Sequence, residues 1–171
     1  MDDKFLLFTD EELAELYRRN VSRVYRLCYI YLKNAVDAED ALQSVFLKFL
    51  QASISFNDEE HEKAWFITTS RNYCKDILKS WWKRQRVDLE SLPEIILQDE
   101  ENLEKEIIIK LMSLPEKYKT VLHLYYIEGY SVKEIAELLG SNESTIRSRM
   151  QRGREKLKIH SGGKYFEQKC Y

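Results

Sequence analysis

Four arginines and two lysines crowd the stretch Arg147 to Lys158, IRSRMQRGREKLK with its leading Ile146. Guanidinium groups present forked donors that fit phosphate oxygens and the major-groove edge of guanine. Gln151, among them, suits the donor–acceptor pair on adenine. The spacing shows which residues face out. Ile146, Met150 and Leu157 recur on one side of a helix, and Arg147, Arg149, Arg152, Arg154, Lys156 and Lys158 surround the rest.

A second helix must position that one. Ser131 followed by Glu134 makes a capping box, and Ile135, Leu138 and Leu139 then fall at helical spacing. Ala136 is small enough for a close crossing, and Gly140 suits the left-handed turn that ends a helix. Ser141 or Asn142 caps the next helix. Buried helix, tight turn and exposed basic helix together predict a helix-turn-helix that lays its second helix in a DNA major groove.

A second basic stripe lies upstream. Arg71, Lys75, Lys79 and Lys83 recur every four residues, and residues 62–86 hold 7 basic against 2 acidic residues. Trp65, Phe66, Tyr73, Ile77, Leu78, Trp81 and Trp82 occupy the other side. Cations at this spacing suit a phosphate backbone, and interleaved rings suit unpaired bases. The pattern predicts three helices here. The first is capped by Thr9 with Glu12 and ends near Asn34; the second is capped by Asp37; the third runs from about Glu62 to Arg86.

Composition frames these elements. The chain has 171 residues, 44% hydrophobic and 33% charged, with Gly 5 and Pro 2, so helix dominates. The expected fold class is all-α, with two small helical domains over 5–86 and 105–160 and an acidic linker over 87–104. The net charge of −2 conceals local fields: residues 87–110 carry 2 basic against 8 acidic residues, and residues 111–171 carry 11 against 7. No apolar run reaches a membrane span, so no membrane insertion is expected, and the acidic start lacks a signal-peptide pattern, which predicts a cytoplasmic protein. Cys28, Cys74 and Cys170 form no metal-ligand spacing and read as two core thiols and a tail thiol. Asp58, Glu59, Glu60, His61 and Glu62 are consecutive and cannot converge on one ion from a helix. No nucleophile motif or phosphate loop is present, so neither an enzyme nor a cofactor is expected.

These segments together resemble an extracytoplasmic-function (ECF) sigma factor of the bacterial sigma-70 family. The resemblance rests on DAEDALQSVFLKF (Asp37 to Phe49), HEKAWFITTSRNYCKDILKSWWKR (His61 to Arg84) and the long match from Leu114 to Leu157. It implies a sigma-2-like domain, a sigma-4-like domain, and as partners core RNA polymerase (clamp helices and flap), promoter DNA and an anti-sigma protein. Asp37, Asp40, Gln43 and Phe46 match the polymerase-docking motif, although Asp37 and Asp40 also suit helix capping. Ser44 departs from the pattern, in which an acidic residue is common. The loop Ser55 to Glu62 corresponds to the pocket for a flipped base, and Arg71, Asn72, Lys75 and Lys79 match −10 contacts. Trp65 and Phe66 fit either the edge of the melted bubble or the core. Arg147, Ser148, Gln151 and Arg152 match base-facing −35 positions, and Lys133, Arg149, Arg154 and Lys156 suit phosphates. Two other classes stay open: a stand-alone dimeric helix-turn-helix regulator, and a sigma-like adaptor that occupies polymerase without opening DNA.

Overall fold

A computed structural model describes residues 8–81 and 102–157. These residues form seven helices and no strand, divided between two compact units, Met1–Gln98 and Asp99–Tyr171. Unit 1 holds α1 (Asp10–Leu32), α2 (Ala35–Ala52) and α3 (Glu59–Trp81). Unit 2 holds α4 (Asn102–Met112), α5 (Glu116–Tyr126), α6 (Val132–Leu139) and α7 (Glu143–Lys156). The acidic stretch expected to link the units falls outside the described residues, except for its last three, which begin α4.

The capping chemistry explains the helix starts. Thr9 Oγ1 accepts from the Glu12 amide and Glu12 Oε2 accepts from the Thr9 amide, satisfying two donors that α1 leaves free. At the next boundary the expectation is corrected. Lys33 takes the left-handed conformation after α1 (φ 59°), and Asn34, expected at that end, instead caps α2 by accepting from the Asp37 amide at 3.0 Å. Asp37 is thereby released from the capping role. α3 starts three residues earlier than expected, because Asp58 Oδ1 accepts from the His61 amide at 2.7 Å.

α1 is central to unit 1: Val24 and Tyr25, and then every residue from Leu27 to Leu32, are buried. Ala38 and Ala41 let α2 approach closely, while Val45 and Phe49 extend the seam. Phe49, Phe66 and Phe46 form its aromatic centre, with Phe66 5.6 Å from Phe49 and 5.0 Å from Phe46 between ring centres. Cys28 and Cys74 are buried free thiols on α1 and α3. A hydrogen bond with Cys74, and then burial, push the Cys28 thiol well above its ordinary value, so it stays protonated and inert.

In unit 2, Ser131 and Glu134 form the expected capping box, Gly140 turns left-handed at φ 59°, and Asn142 rather than Ser141 caps α7. α7 lies against α5 through Gly153, whose ideal Cβ would stand 2.8 Å from Leu122 Cδ1 and 3.2 Å from Tyr118 Cβ. Only hydrogen fits there. Gly153→Ala gains about 1 kcal/mol of helix propensity but overpacks two buried residues at about 1–3 kcal/mol. The expected net result is a loss of roughly 1 kcal/mol in unit 2. Because all three tryptophans lie in unit 1, the loss is read as a lowered helical-CD midpoint with the tryptophan fluorescence transition unmoved. An equal or raised CD midpoint contradicts the close-crossing account.

Candidate functional site

The outward face of α2 combines carboxylate and apolar surface. Val36, Asp40, Gln43 and Leu47 recur along it, with Asp40 and Gln43 exposed and Val36 and Leu47 exposed at 62% and 55%. Of the four residues expected to dock a protein, Asp40 and Gln43 are on this face. Asp37 is half-buried, and Phe46 is wedged between Tyr17 (4.8 Å) and Phe66. Sequence reasoning missed Val36 and Leu47. Their helical spacing looks like any core stripe, and only burial separates them from Leu42 and Val45. Burial, and then the Asp40 charge, raise the Asp37 carboxyl above its ordinary 3.8.

Ser44 has an inward use. Its hydroxyl donates to the Asp40 carbonyl at 2.8 Å and accepts from the Tyr73 hydroxyl of α3 at 2.9 Å. Lys48, one turn on, sits 4.9 Å from the centre of the Tyr73 ring. The departure at Ser44 thus ties α2 to α3.

Along α3, Asn72 and Lys79 are exposed, whereas Arg71 and Lys75 are half-buried. Arg71 donates to Asn72 Oδ1 at 3.4 Å, and Lys79 is 3.9 Å from Asp76. Phe66 is wholly buried. Trp65 is half-buried and meets Phe66 edge-on at 5.1 Å and Phe49 at 5.9 Å, so it packs on the core and keeps part of its surface exposed. Phe56, in the loop before α3, stacks on Phe49 at 5.7 Å with planes 13° apart, and His61 meets it edge-on at 5.6 Å.

Glu62, at the end of that loop segment, turns inward. Its carboxylate accepts from Arg19 Nε at 3.2 Å, Arg19 Nη2 at 2.7 Å and Asn20 Nδ2 at 2.5 Å. Asn20 is fully buried, donates also to the Leu16 carbonyl, and accepts from Arg23 at 2.9 Å. The start of α3, and the loop leading into it, are fixed to α1 by a charged clasp. Among the described residues no three metal-ligating side chains converge.

On α7, Arg147, Ser148, Gln151, Arg152 and Lys156 are exposed; Lys133 on α6 is also exposed. Arg147 pairs with Glu143 at 2.6 Å, and Gln151 donates to Glu155 at 3.0 Å. Arg149 is half-buried. Arg154, expected on phosphate, is half-buried and donates from Nε to the Tyr126 hydroxyl at 2.8 Å. Its geometry holds α7 to α5.

A helical unit with an exposed carboxylate-and-apolar stripe on α2 and cations along α3, followed by a helix-turn-helix unit, defines a two-unit protein of the helix-turn-helix class. Comparison with known proteins supplies the family. Sigma-70 region 2 matches residues 16–86, and sigma-70 region 4 matches residues 106–157. The RNA polymerase sigma factor SigV of Bacillus subtilis is 31% identical over 79% of this chain and 82% of its own length. SigZ of the same organism is 36% identical over 70% of each chain. The ECF RNA polymerase sigma factor SigE of Mycolicibacterium smegmatis is 31% identical over 84% of this chain, which spans 59% of that relative's length. Among solved structures, the sigma factor RpoE of Bartonella quintana, in complex with the anti-sigma factor NepR, superposes with a TM-score of 0.64 at 19% identity over 87% of this chain and 96% of its own. CnrH, in complex with the cytosolic domain of CnrY, superposes with a TM-score of 0.63 at 20% identity over 88% of both chains. The chain belongs to the ECF sigma factors of the sigma-70 family.

Two outcomes follow from the geometry. Glu62→Ala leaves Arg19 and the buried Asn20 without their acceptor, which is expected to cost unit 1 about 2 kcal/mol. Denaturant unfolding followed by tryptophan fluorescence measures it, and an unchanged midpoint removes the clasp from the account. Asp37 behaves in the opposite sense. An acid with a raised folded pKa favours the fold below its unfolded value, and that favour is lost as pH rises through the folded value. Asp37→Asn is therefore expected to raise the urea midpoint at about pH 7 and to leave it unchanged near about pH 3. A lower midpoint at neutral pH refutes the sign.

Proposed function

We propose that this chain binds core RNA polymerase, carries it to a two-part promoter and opens the DNA. The observation that carries the reading is the pairing on one chain of two surfaces in the family's order. The α2 stripe sets two exposed apolar residues, Val36 and Leu47, in line with the exposed Asp40 and Gln43. The α7 face is open, with Arg147, Ser148 and Gln151 projecting from a capped, rigid recognition helix.

In this reading the α2 stripe docks on the polymerase. Asp37, Asp40 and Gln43 supply polar contacts, Val36 and Leu47 add apolar area, and Phe46 backs the helix from within. Asn72, Lys75 and Lys79 approach the −10 strand, with Arg71 orienting Asn72. The Phe56 loop receives an extruded base, whose unstacking costs a few kcal/mol. Arg147, Ser148 and Gln151 read −35 base edges, and Lys133 and Arg149 approach phosphates. The chain supplies no catalysis of its own and acts in the cytoplasm. The complex of RpoE with the anti-sigma factor NepR supports an anti-sigma partner for this chain as well. A stand-alone dimeric repressor is not favoured, because relatives matched over most of the chain are sigma factors.

Run-off transcription with purified core polymerase, on DNA from upstream of the chain's own gene, tests the reading. A new start site with permanganate-reactive thymines is expected. Leu47→Glu puts a charge on an exposed apolar contact, so it is expected to weaken core binding roughly tenfold, about 1.4 kcal/mol, with the unfolding midpoint unchanged. Wild-type core affinity in that variant would place the dock elsewhere.

A further inference from the structure

Three cations meet around Tyr118 on α5. Lys117 Nζ lies 4.9 Å from the centre of its ring, and Lys156 Nζ, from α7, lies 6.0 Å from it. Arg152, one turn before Lys156 on the exposed side of α7, adds its charge near the same phenol. Desolvation would raise this phenol, yet the two cations outweigh it and hold the group below its ordinary 10.0. The ring itself is buried, at 6% exposure, and forms a fixed floor for the three charges.

The arrangement costs stability as it stands. Among the described residues, none of these three cations has a carboxylate within ion-pair distance, whereas Arg147 has Glu143 and Lys110 has Glu106. Glu155, the nearest acid in sequence on α7, accepts from Gln151 instead, and Glu116 precedes Lys117 in the first turn of α5. Lys117 also sits at the positive end of α5, the end that disfavours a cation, and Pro115 provides no side-chain cap there. Gly153 brings the cations of α7 and α5 together, because any side chain at that position would hold the helices apart. Like charges gathered without compensation are relieved by an anion.

The position of the cluster on α7 selects the anion. Ser148 and Lys156 are eight residues apart, about 12 Å along a helix. The major groove is also about 12 Å wide. A helix that presents Ser148 and Gln151 to base edges therefore carries Arg152 and Lys156 toward the groove wall, where the phosphates lie. We propose that Lys117, Arg152 and Lys156 together grip one backbone phosphate of the promoter duplex at the α5–α7 seam, with Arg152 setting register instead of reading a base. The proposal rests on the −35 assignment made under Proposed function, and at Arg152 it departs from the base-facing role that the family resemblance implies.

The test uses full-length protein bound to core polymerase, labelled promoter duplex, a KCl series and a set of single-base −35 variants. Wild-type protein that forms no promoter-binding holoenzyme would sink the family-level reading, a failure separate from the one at issue. Given a working holoenzyme, Lys117→Gln and Arg152→Gln are each expected to lose about threefold to tenfold in affinity, by the same factor on every −35 variant. Each is also expected to flatten the log-affinity against log-salt slope, by up to about 0.9. Lys110→Gln, outside the cluster, is expected to leave affinity and slope unchanged. An unchanged slope for Lys117→Gln overturns the proposal. So does an Arg152→Gln loss confined to one −35 base position, which makes Arg152 a base reader. A fall in core affinity with the DNA slope intact overturns it too, and assigns the cluster to an acidic protein surface.

Discussion

Unit 1 depends on a carboxylate that has been taken out of water. Glu62 is buried, and an isolated charge there would be expelled by several kcal/mol. Arg19 and Asn20 supply three donors to its two oxygens, and Arg23 satisfies the Asn20 oxygen in turn. Removing any one member strands the others, so the arrangement has few alternatives. That is a useful property at this place. The loop proposed to take a flipped base runs into the first turn of α3, just before Glu62, and a loop must be held by something other than its own short hydrogen bonds. Phe56 anchors it by stacking on Phe49, and Glu62 fixes the chain that follows. The segment from Phe56 to Glu62 is therefore held at both ends by core interactions.

Unit 2 reaches the same end by steric means. α6 is short, with eight residues, and cannot by itself orient α7. The caps at Ser131 and Asn142 and the left-handed Gly140 fix the turn, but the recognition helix takes its position from contact with α5. Gly153 permits that contact, and Arg154 locks it by bonding Tyr126 and lying 5.7 Å above its ring.

Much of this was legible in the sequence where the signal is local. Thr9 with Glu12, Ser131 with Glu134, and Gly140 encode their turns within four residues, and each adopted the expected role. The all-α fold and its two parts follow from few breakers and helical periodicity. What failed to show was tertiary. Asn34 and Asp37 are both good caps, and the choice between them depends on where α1 stops, which Lys33 decides by turning left-handed without a glycine. Leu47 and Val45 are both apolar residues on one helix, and only the packing of α1 against α2 decides which is buried. Glu62 read as one acid in a run of four, because its partner Arg19 lies 43 positions away.

The basic residues illustrate the limit most directly. On sequence, Arg147, Arg152 and Arg154 are equivalent guanidinium groups on one helix. In the fold they have three different neighbours: a carboxylate one turn back, an arrangement of unneutralised cations, and a tyrosine hydroxyl across the helix seam. A cation already paired inside the protein contributes less when DNA arrives, since it must give up that partner before it can displace the counterions condensed on the DNA. One left beside other cations contributes more, because binding also removes a repulsion that the free protein carries. The net charge of −2 is therefore a poor guide to nucleic-acid affinity. Among the described residues of α7, Arg152 and Lys156 have no acid partner and lie toward the C-terminal half, beside the Gly153 crossing and Lys117.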